Sequence, residues 1–356
     1  GPAPLFLTNA YGWEESRFPP EHAAAFNDRL QGLTVMSDYV ARTLVDNGVF
    51  QPIRVVGLGA DHILRIAPEP VPEQLGEGYR FLHISSGFPR KALDVLLDAY
   101  GRAFTAADPV SLVIKTFPNP HNDAVRQVEQ FRRDHPSPPG VVLINADLPD
   151  GCLVDLYQRC HCLVLPSRGE GFGLPLAEAM LLGMPVITTG HGGQCDFCTP
   201  ETAWLIDYSL QPAASHLNPF GSVWAEPAVD HLARLLRRQL DEGQGGSAAR
   251  VAAARDLIAS RYTWRACARR LLDFVAERQA ARLVPGGPAA VAPPRPRLAL
   301  VTSWNARCGI AEYSRQLVPY LLNRLEVTVL APRAGEPLRG DEPNVQRVWL
   351  PDDFCD

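Results

Sequence analysis

The sequence predicts an α/β protein built on a doubly wound parallel sheet, and three observations carry that prediction. Short apolar runs that read as buried strands alternate with amphipathic helical runs from about Arg80 to Thr188, the order that a parallel sheet with helices on its faces requires. Charged residues stand directly after several of these strands, at Lys91, Lys115, Asp147 and Glu170, which is where open α/β sheets bind their ligands. A Pro/Gly/Ala-rich stretch at 285–296 then reads as a linker before a further strand and helix.

Taken in order, residues 1–60 hold an apolar strand at 33–36, a helix at 38–47 and a strand at 53–56, followed by the glycine-bearing crossing Gly57-Leu58-Gly59-Ala60-Asp61. Phe81-Leu82-His83-Ile84 is the next strand; Ser85-Ser86-Gly87-Phe88-Pro89-Arg90-Lys91 leads into an amphipathic helix at 92–104. The strand 110–115 ends on Lys115, and a helix at 122–134 follows. The strand 141–144 opens into the polar loop Asn145-Ala146-Asp147-Leu148, and Pro149 marks the start of a helix at 150–159. The strand 161–165 runs through a glycine turn into a helix at 174–183, with Pro175 in the first turn where proline is tolerated, and the strand 185–188 follows. Helices are expected at 227–242, 246–259 and 263–279; Arg234, Arg237 and Arg238 on the first form a solvated face without assigned function. After the linker come a strand at 298–301, a loop Cys308-Gly309-Ile310 opening an amphipathic helix, and a strand at 326–330.

At 356 residues the chain is long enough for two domains, and 46% hydrophobic content can supply sizeable cores. With 34 basic and 39 acidic residues the formal charge is −5, and no basic stretch is interleaved with aromatics, which argues against nucleic acid as a partner. No apolar run reaches the length of a membrane span and the first residues lack the charged-then-apolar pattern of a secretion signal, so a soluble, cytoplasmic protein is expected. Eight cysteines invite a metal or disulfide reading, but Cys160 and Cys162 alternate along an apolar strand and Cys195 and Cys198 lie in a loop. Cys160 and Cys162 lack the usual ligand pairing, and reduced thiols with no metal site are expected.

The stretch Ser167-Arg168-Gly169-Glu170-Gly171-Phe172-Gly173-Leu174-Pro175-Leu176-Ala177-Glu178 is the most informative in the chain. It sets two carboxylates around a glycine turn that opens a helix. Free backbone N–H groups and the helix dipole favour a diphosphate at that mouth, and glycines let the main chain approach it. The two glutamates can each accept hydrogen bonds from sugar hydroxyls.

This spacing resembles the donor-site signature of the retaining GT-B glycosyltransferases of family four, also called group 1: a glutamate, seven residues, and a second glutamate. The resemblance implies a Rossmann-like donor domain and a nucleotide-sugar substrate, with neither cofactor nor metal. It implies that Glu170 contacts the donor hexose, that Glu178 holds the ribose hydroxyls, and that Gly171, Phe172, Gly173 and Leu174 line the region between phosphate and sugar. Lys91 takes the place of the family's phosphate-binding lysine and joins Glu170 as the catalytic pair, and Lys115 matches a second basic donor contact. Where the family commonly carries an arginine shortly before the first lysine, this chain has Ser85 and Ser86, and Arg90 is the candidate that compensates. Asp147 and Leu148 would flank the nucleotide base.

The same resemblance divides the chain into the closing part of an acceptor domain at 1–60, a donor domain at 61–282, a linker at 283–296, and the opening part of a second acceptor domain at 297–356. A slice of a longer tandem protein is the simplest account, and a permuted chain whose ends complete one domain is the alternative. The combination of Phe88-Pro89-Arg90-Lys91, Lys115-Thr116-Phe117 and Asp196-Phe197 resembles bacterial polysaccharide mannosyltransferases. That likeness points to GDP-mannose as donor, with UDP-glucose open. It also points to a glycan or lipid-linked glycan as acceptor, in lipopolysaccharide or other surface-polysaccharide synthesis, and to peripheral association with membrane-bound assembly machinery at the inner face of the membrane.

Overall fold

The computed structural model describes residues 5–215, 221–243, 245–281, 297–306, 309–333 and 337–349; the expected linker at 283–296 and Cys308 lie outside them. Two compact units are present: Gly1–Gly12, Phe18–His62 and Tyr262–Asp356 form the first, and Trp13–Arg17 with Ile63–Arg261 the second.

The first unit opens with α1 (Pro20–Arg29), β1 (Leu33–Val35), α2 (Asp38–Asp46) and β2 (Ile53–Val55). The Val40 N–H donates to the Ser37 hydroxyl at 3.3 Å, satisfying one of the orphan donors at the start of α2, and β1 and β2 pair in parallel with Leu33 opposite Ile53. The second unit runs β3 (Tyr79–Ile84), α3 (Leu93–Ala103), β4 (Val110–Thr116), α4 (Ala124–Asp134), β5 (Gly140–Asn145), α5 (Asp150–Arg159), β6 (Cys162–Leu165), α6 (Leu174–Leu181) and β7 (Val186–Thr189). It continues with β8 (Trp204–Ile206), β9 (Tyr208–Pro212), β10 (Val223–Pro227), α7 (Val229–Glu242) and α8 (Ala248–Arg261). The first unit resumes with α9 (Trp264–Ala280), β11 (Arg297–Val301), α10 (Gly309–Leu321), β12 (Glu326–Pro332) and β13 (Val345–Trp349).

The centre of the second unit is a six-stranded sheet in the order β5-β4-β3-β6-β7-β8, with every neighbouring pair parallel. On one face, Phe81, Leu112, Ile114, Val164 and Ile187 pack with Leu96 and Tyr100 of α3, Val128 of α4 and Leu232 and Leu236 of α7. Residues of the opposite parity, Leu82, Val113, Leu163 and Leu165, are equally buried, and α5 and α6 pack against β3, β6 and β7. Both faces are covered, so the strands read as continuous apolar runs rather than alternating ones.

Strand order reverses between β3 and β6. Chain order proceeds from β3 through β4 to β5 on one side and from β6 through β7 to β8 on the other.

In the first unit β11, β12 and β13 form a parallel sheet in that order. Helix α9 counts with this unit, although the expected donor domain ran to residue 282. The Asp61 carboxylate accepts the Trp264 N–H at 2.7 Å, the Ala60 N–H donates to the Tyr262 carbonyl at 2.8 Å, and a Cβ on Gly59 would lie 2.3 Å from the Trp264 nitrogen. The Tyr313 hydroxyl donates to the Asn9 carbonyl at 3.2 Å, so residues from both expected acceptor-domain pieces meet within this unit.

Candidate active site

The reversal between β3 and β6 creates a switch point, where the loops after two adjacent strands leave in opposite directions and open a crevice. Beneath it His83, fully buried, bridges the strands: Nδ1 lies 2.9 Å from the Val164 carbonyl and Nε2 2.8 Å from the Ser85 hydroxyl. A carbonyl can only accept, so the proton sits on Nδ1 and Nε2 accepts from Ser85. The Ser85 oxygen in turn accepts the Gly87 N–H at 3.2 Å, which fixes the start of the loop that carries Lys91. Burial lowers the His83 pKa to about 4, the Lys91 charge acts the same way, and the Val164 bond and Glu170 charge oppose it.

That loop ends in a short 3₁₀ turn, Pro89–Lys91, and the buried Ala92 then adopts a left-handed conformation, φ +52°, before α3 starts. A non-glycine residue there is uncommon and holds the turn apart from the helix. The helix expected from residue 92 therefore begins at Leu93, with Lys91 on a separate turn.

The loop after β6 is held by Arg168, whose side chain is 8% exposed. Its guanidinium makes paired bonds to Asp94 at 2.9 and 2.7 Å and to Glu226 at 2.6 and 2.7 Å, and donates to the Pro89 carbonyl at 2.7 Å. It also lies 4.9 Å from the centre of the Trp224 ring. Burial opposes its charge, but the two carboxylates outweigh that and raise its pKa. One side chain thus ties the glutamate loop to the lysine turn, to α3 and to the β9–β10 hairpin.

Between these loops the Lys91 ammonium donates to Glu170 at 2.5 Å, and the Ser167 hydroxyl donates to the same oxygen at 2.8 Å. Burial pushes the Glu170 carboxyl up, but the charges of Lys91 and Arg90 outweigh it and hold the pKa below the usual carboxylate value. Burial lowers the Lys91 pKa, Arg90 adds to that, and Glu170 and Glu14 oppose it. Arg90 itself lies 3.2 Å from Glu14 and donates to the Gly169 carbonyl at 3.3 Å.

The other side chains are placed by neighbouring elements. Lys115, at the end of β4, is 6% exposed; burial lowers its pKa, Asp147 opposes that, and its ammonium lies 5.9 Å from the Phe117 ring centre. Asp147 is exposed and Leu148 half-buried in the loop after β5. Phe172 is buried with its ring 5.1 Å from that of Phe197, so this residue offers the crevice its backbone. Helix α6 starts after Gly173 at φ +86° with no side-chain cap; Pro175 has no N–H, and the Leu176 N–H donates to the Gly173 carbonyl at 3.0 Å. Glu178 accepts from the Tyr157 hydroxyl at 2.9 Å. Among the described residues no cluster of three or more His, Cys, Asp or Glu could hold a metal ion, and no helix is long and apolar enough to cross a membrane.

Residues 78–216 match the family model of Glycosyl transferases group 1. That segment spans β3 to β9 and contains every expected donor-site residue. Among curated relatives, the O-antigen chain mannosyltransferase B of Escherichia coli is 32% identical over 135 residues, covering 36% of this chain and 34% of that protein. The serotype-specific mannosyltransferase WbdA of Escherichia coli is 44% identical over 55 residues, 15% of this chain and 7% of that protein. The chain therefore spans about a third or less of these relatives. Among solved structures, Anabaena HepE in complex with UDP and glucose superposes with a TM-score of 0.56 at 15% identity, covering 73% of this chain and 68% of that one. The likeness to these solved glycosyltransferases is one of fold, an α/β architecture on a six-stranded parallel sheet, as the sequence predicts.

Within the segment that the family model matches, the structure brings Lys91, Arg90 and Glu170 into one cluster and sets Lys115 and Asp147 at adjoining strand ends. Sequence reasoning passed over Arg168, Glu14, Tyr157 and the bridging role of His83. Arg168 stands inside the quoted motif, but its partners Asp94 and Glu226 are too distant in sequence to give a local signal.

Proposed function

We propose that the second unit is the donor half of a retaining glycosyltransferase that moves a hexose from a nucleoside-diphosphate sugar to a glycan acceptor. The observation that carries this reading is the Lys91–Glu170 contact across the switch point, beside the uncapped start of α6. In it, Lys91, Arg90 and Lys115 hold the diphosphate, the backbone from Gly171 to Leu174 lies along it, and Glu170 accepts from hexose hydroxyls. Glu178 accepts from ribose, while Asp147 and Leu148 border the base.

The bond from the anomeric carbon to the phosphate oxygen breaks, a bond to the acceptor hydroxyl oxygen forms on the same face, and the hydroxyl proton passes to the leaving phosphate. Charge grows on that leaving diphosphate, and fixed cations in a partly dry cleft stabilise it without a metal. Mannose from GDP-mannose is the donor we favour, because the relative matched over 135 residues is an O-antigen mannosyltransferase. Surface polysaccharide is then the product class. A nucleotide-sugar donor puts the reaction on the cytoplasmic side of the membrane, next to the machinery that supplies a lipid-linked acceptor.

Calorimetry of the chain with GDP-mannose, GDP, UDP-glucose, UDP and the nucleosides tests this. Lys91→Ala should weaken diphosphates more than nucleosides, and Glu170→Ala should weaken sugar nucleotides more than nucleoside diphosphates. Equal losses across those ligand pairs would remove both assignments, and absence of any nucleotide binding would remove the function.

A further inference from the structure

Tyr157 is 4% exposed, on α5, and its hydroxyl donates to Glu178 Oε2 across to α6 at 2.9 Å. A second acceptor, the Pro175 carbonyl, is farther at 3.4 Å, and a phenol has one proton to give. Burial and then the Glu178 charge raise the Tyr157 pKa well above its ordinary value, so the hydroxyl stays protonated and keeps donating. Helix α5 packs against β3 and α6 against β6 and β7, and Glu178 is 8% exposed. Its carboxylate is therefore held by a buried side chain on the neighbouring helix. A carboxylate has about four acceptor sites, and the Tyr157 bond to Oε2 helps to fix the plane of the group.

We propose that Tyr157 is a positioning residue for ribose recognition: its hydroxyl locks the Glu178 carboxylate in the orientation that accepts from the vicinal hydroxyls of a ribonucleotide. The inference rests on the ribose role given to Glu178 above. It adds a selectivity device, since a glutamate free to rotate would accept from ribose but would discriminate less well against a sugar lacking hydroxyls. A buried polar group arranged for one set of hydrogen bonds rejects ligands that leave it unpaired.

The test is calorimetry of GDP against its 2′,3′-dideoxy analogue, with the corresponding UDP pair in parallel, on the wild-type chain and on Tyr157→Phe, Glu178→Ala and the double variant. The wild type should prefer the ribose form, and Tyr157→Phe should reduce that preference by about tenfold while leaving affinity for the dideoxy analogue unchanged. Glu178→Ala should abolish the preference, and adding Tyr157→Phe to it should change nothing further. A purely structural role for Tyr157 would weaken both ligands alike. If the wild type discriminates and Tyr157→Phe discriminates equally well, the positioning role is wrong while the ribose assignment stands. If the wild type shows no preference, the ribose assignment of Glu178 fails and this inference fails with it.

Discussion

Lys91 and Glu170, 79 residues apart in sequence, meet at 2.5 Å across the point where the sheet reverses its strand order. Their side chains are 14% and 8% exposed, so each neutralises a charge that water reaches poorly. Removing one partner from such a pair strands the other, at a cost of about 3 kcal/mol, whereas replacing both costs much less. Lys91→Met and Glu170→Gln should each lower stability by about that amount, and the loss in the double variant should fall well below the sum of the two. Urea unfolding of the four proteins measures the coupling, and strict additivity would mean that the contact is not energetically real.

The His83 bridge predicts a dependence on acidity. Its folded pKa of about 4 lies below the ordinary 6.5, so below the ordinary value the unfolded chain binds a proton that the fold refuses. The stabilisation is complete above about pH 6.5 and is lost as pH falls toward 4, to a total of about 3 kcal/mol. His83→Gln should be less stable near neutrality and should lose most of the wild-type slope across that window. Unfolding midpoints that fall equally steeply in both proteins would remove His83 as the source.

Arg168 should not tolerate lysine. Its bonds to Asp94 and Glu226 are paired and it stacks over Trp224, a geometry that a point-charge ammonium cannot reproduce. Asp94 is 56% exposed, so that ion pair is screened and contributes little, and most of the loss comes from the bonds to Glu226 and Pro89. Arg168→Lys should cost about 2 kcal/mol and weaken sugar-nucleotide binding, because the loop bearing Glu170 loses its anchor. Unchanged thermal unfolding would show that the loop is held by other contacts.

Much of this architecture is legible in the sequence because the second unit's strands are buried on both faces. Runs such as Phe81-Leu82-His83-Ile84 and Cys162-Leu163-Val164-Leu165 then stand out between glycine turns, and β3 to β7 appear within a residue or two of their expected positions. Glu170 and Lys91 are legible for the same reason, since each follows a clear strand. The β9–β10 hairpin was not, because every residue of β9 is exposed and the apolar alternation that marks a strand is missing. Helix α1 also escaped, its single fully buried residue, Ala23, giving no apolar stripe. The partners of Arg168 and Glu178 are tertiary facts: Asp94, Glu226 and Tyr157 carry no local pattern that ties them to the motif.

Gly192 tests whether the backbone behind Glu170 is as constrained as its side chain. At φ +112° and ψ −172° it occupies a region open essentially only to glycine. A Cβ there would lie 3.1 Å from the Glu170 carbonyl oxygen, 3.3 Å from the Glu170 nitrogen and 2.6 Å from the Gln194 side-chain oxygen. The Gln194 amide could shift only by disturbing its bonds to the Thr189 and His191 carbonyls, at 3.0 and 2.7 Å, and the Glu170 backbone is held by the Gly193 N–H at 2.7 Å. Gly192→Ala therefore combines conformational strain with a steric push on the residue proposed to touch the hexose. It should cost about 2 kcal/mol in stability, and it should weaken sugar-nucleotide binding more than nucleoside-diphosphate binding, since the displacement is centred on Glu170 rather than on Lys91. Equal weakening of the two ligands would place the disturbance at the phosphate instead, and unaltered stability would show that the loop relaxes freely around the added methyl.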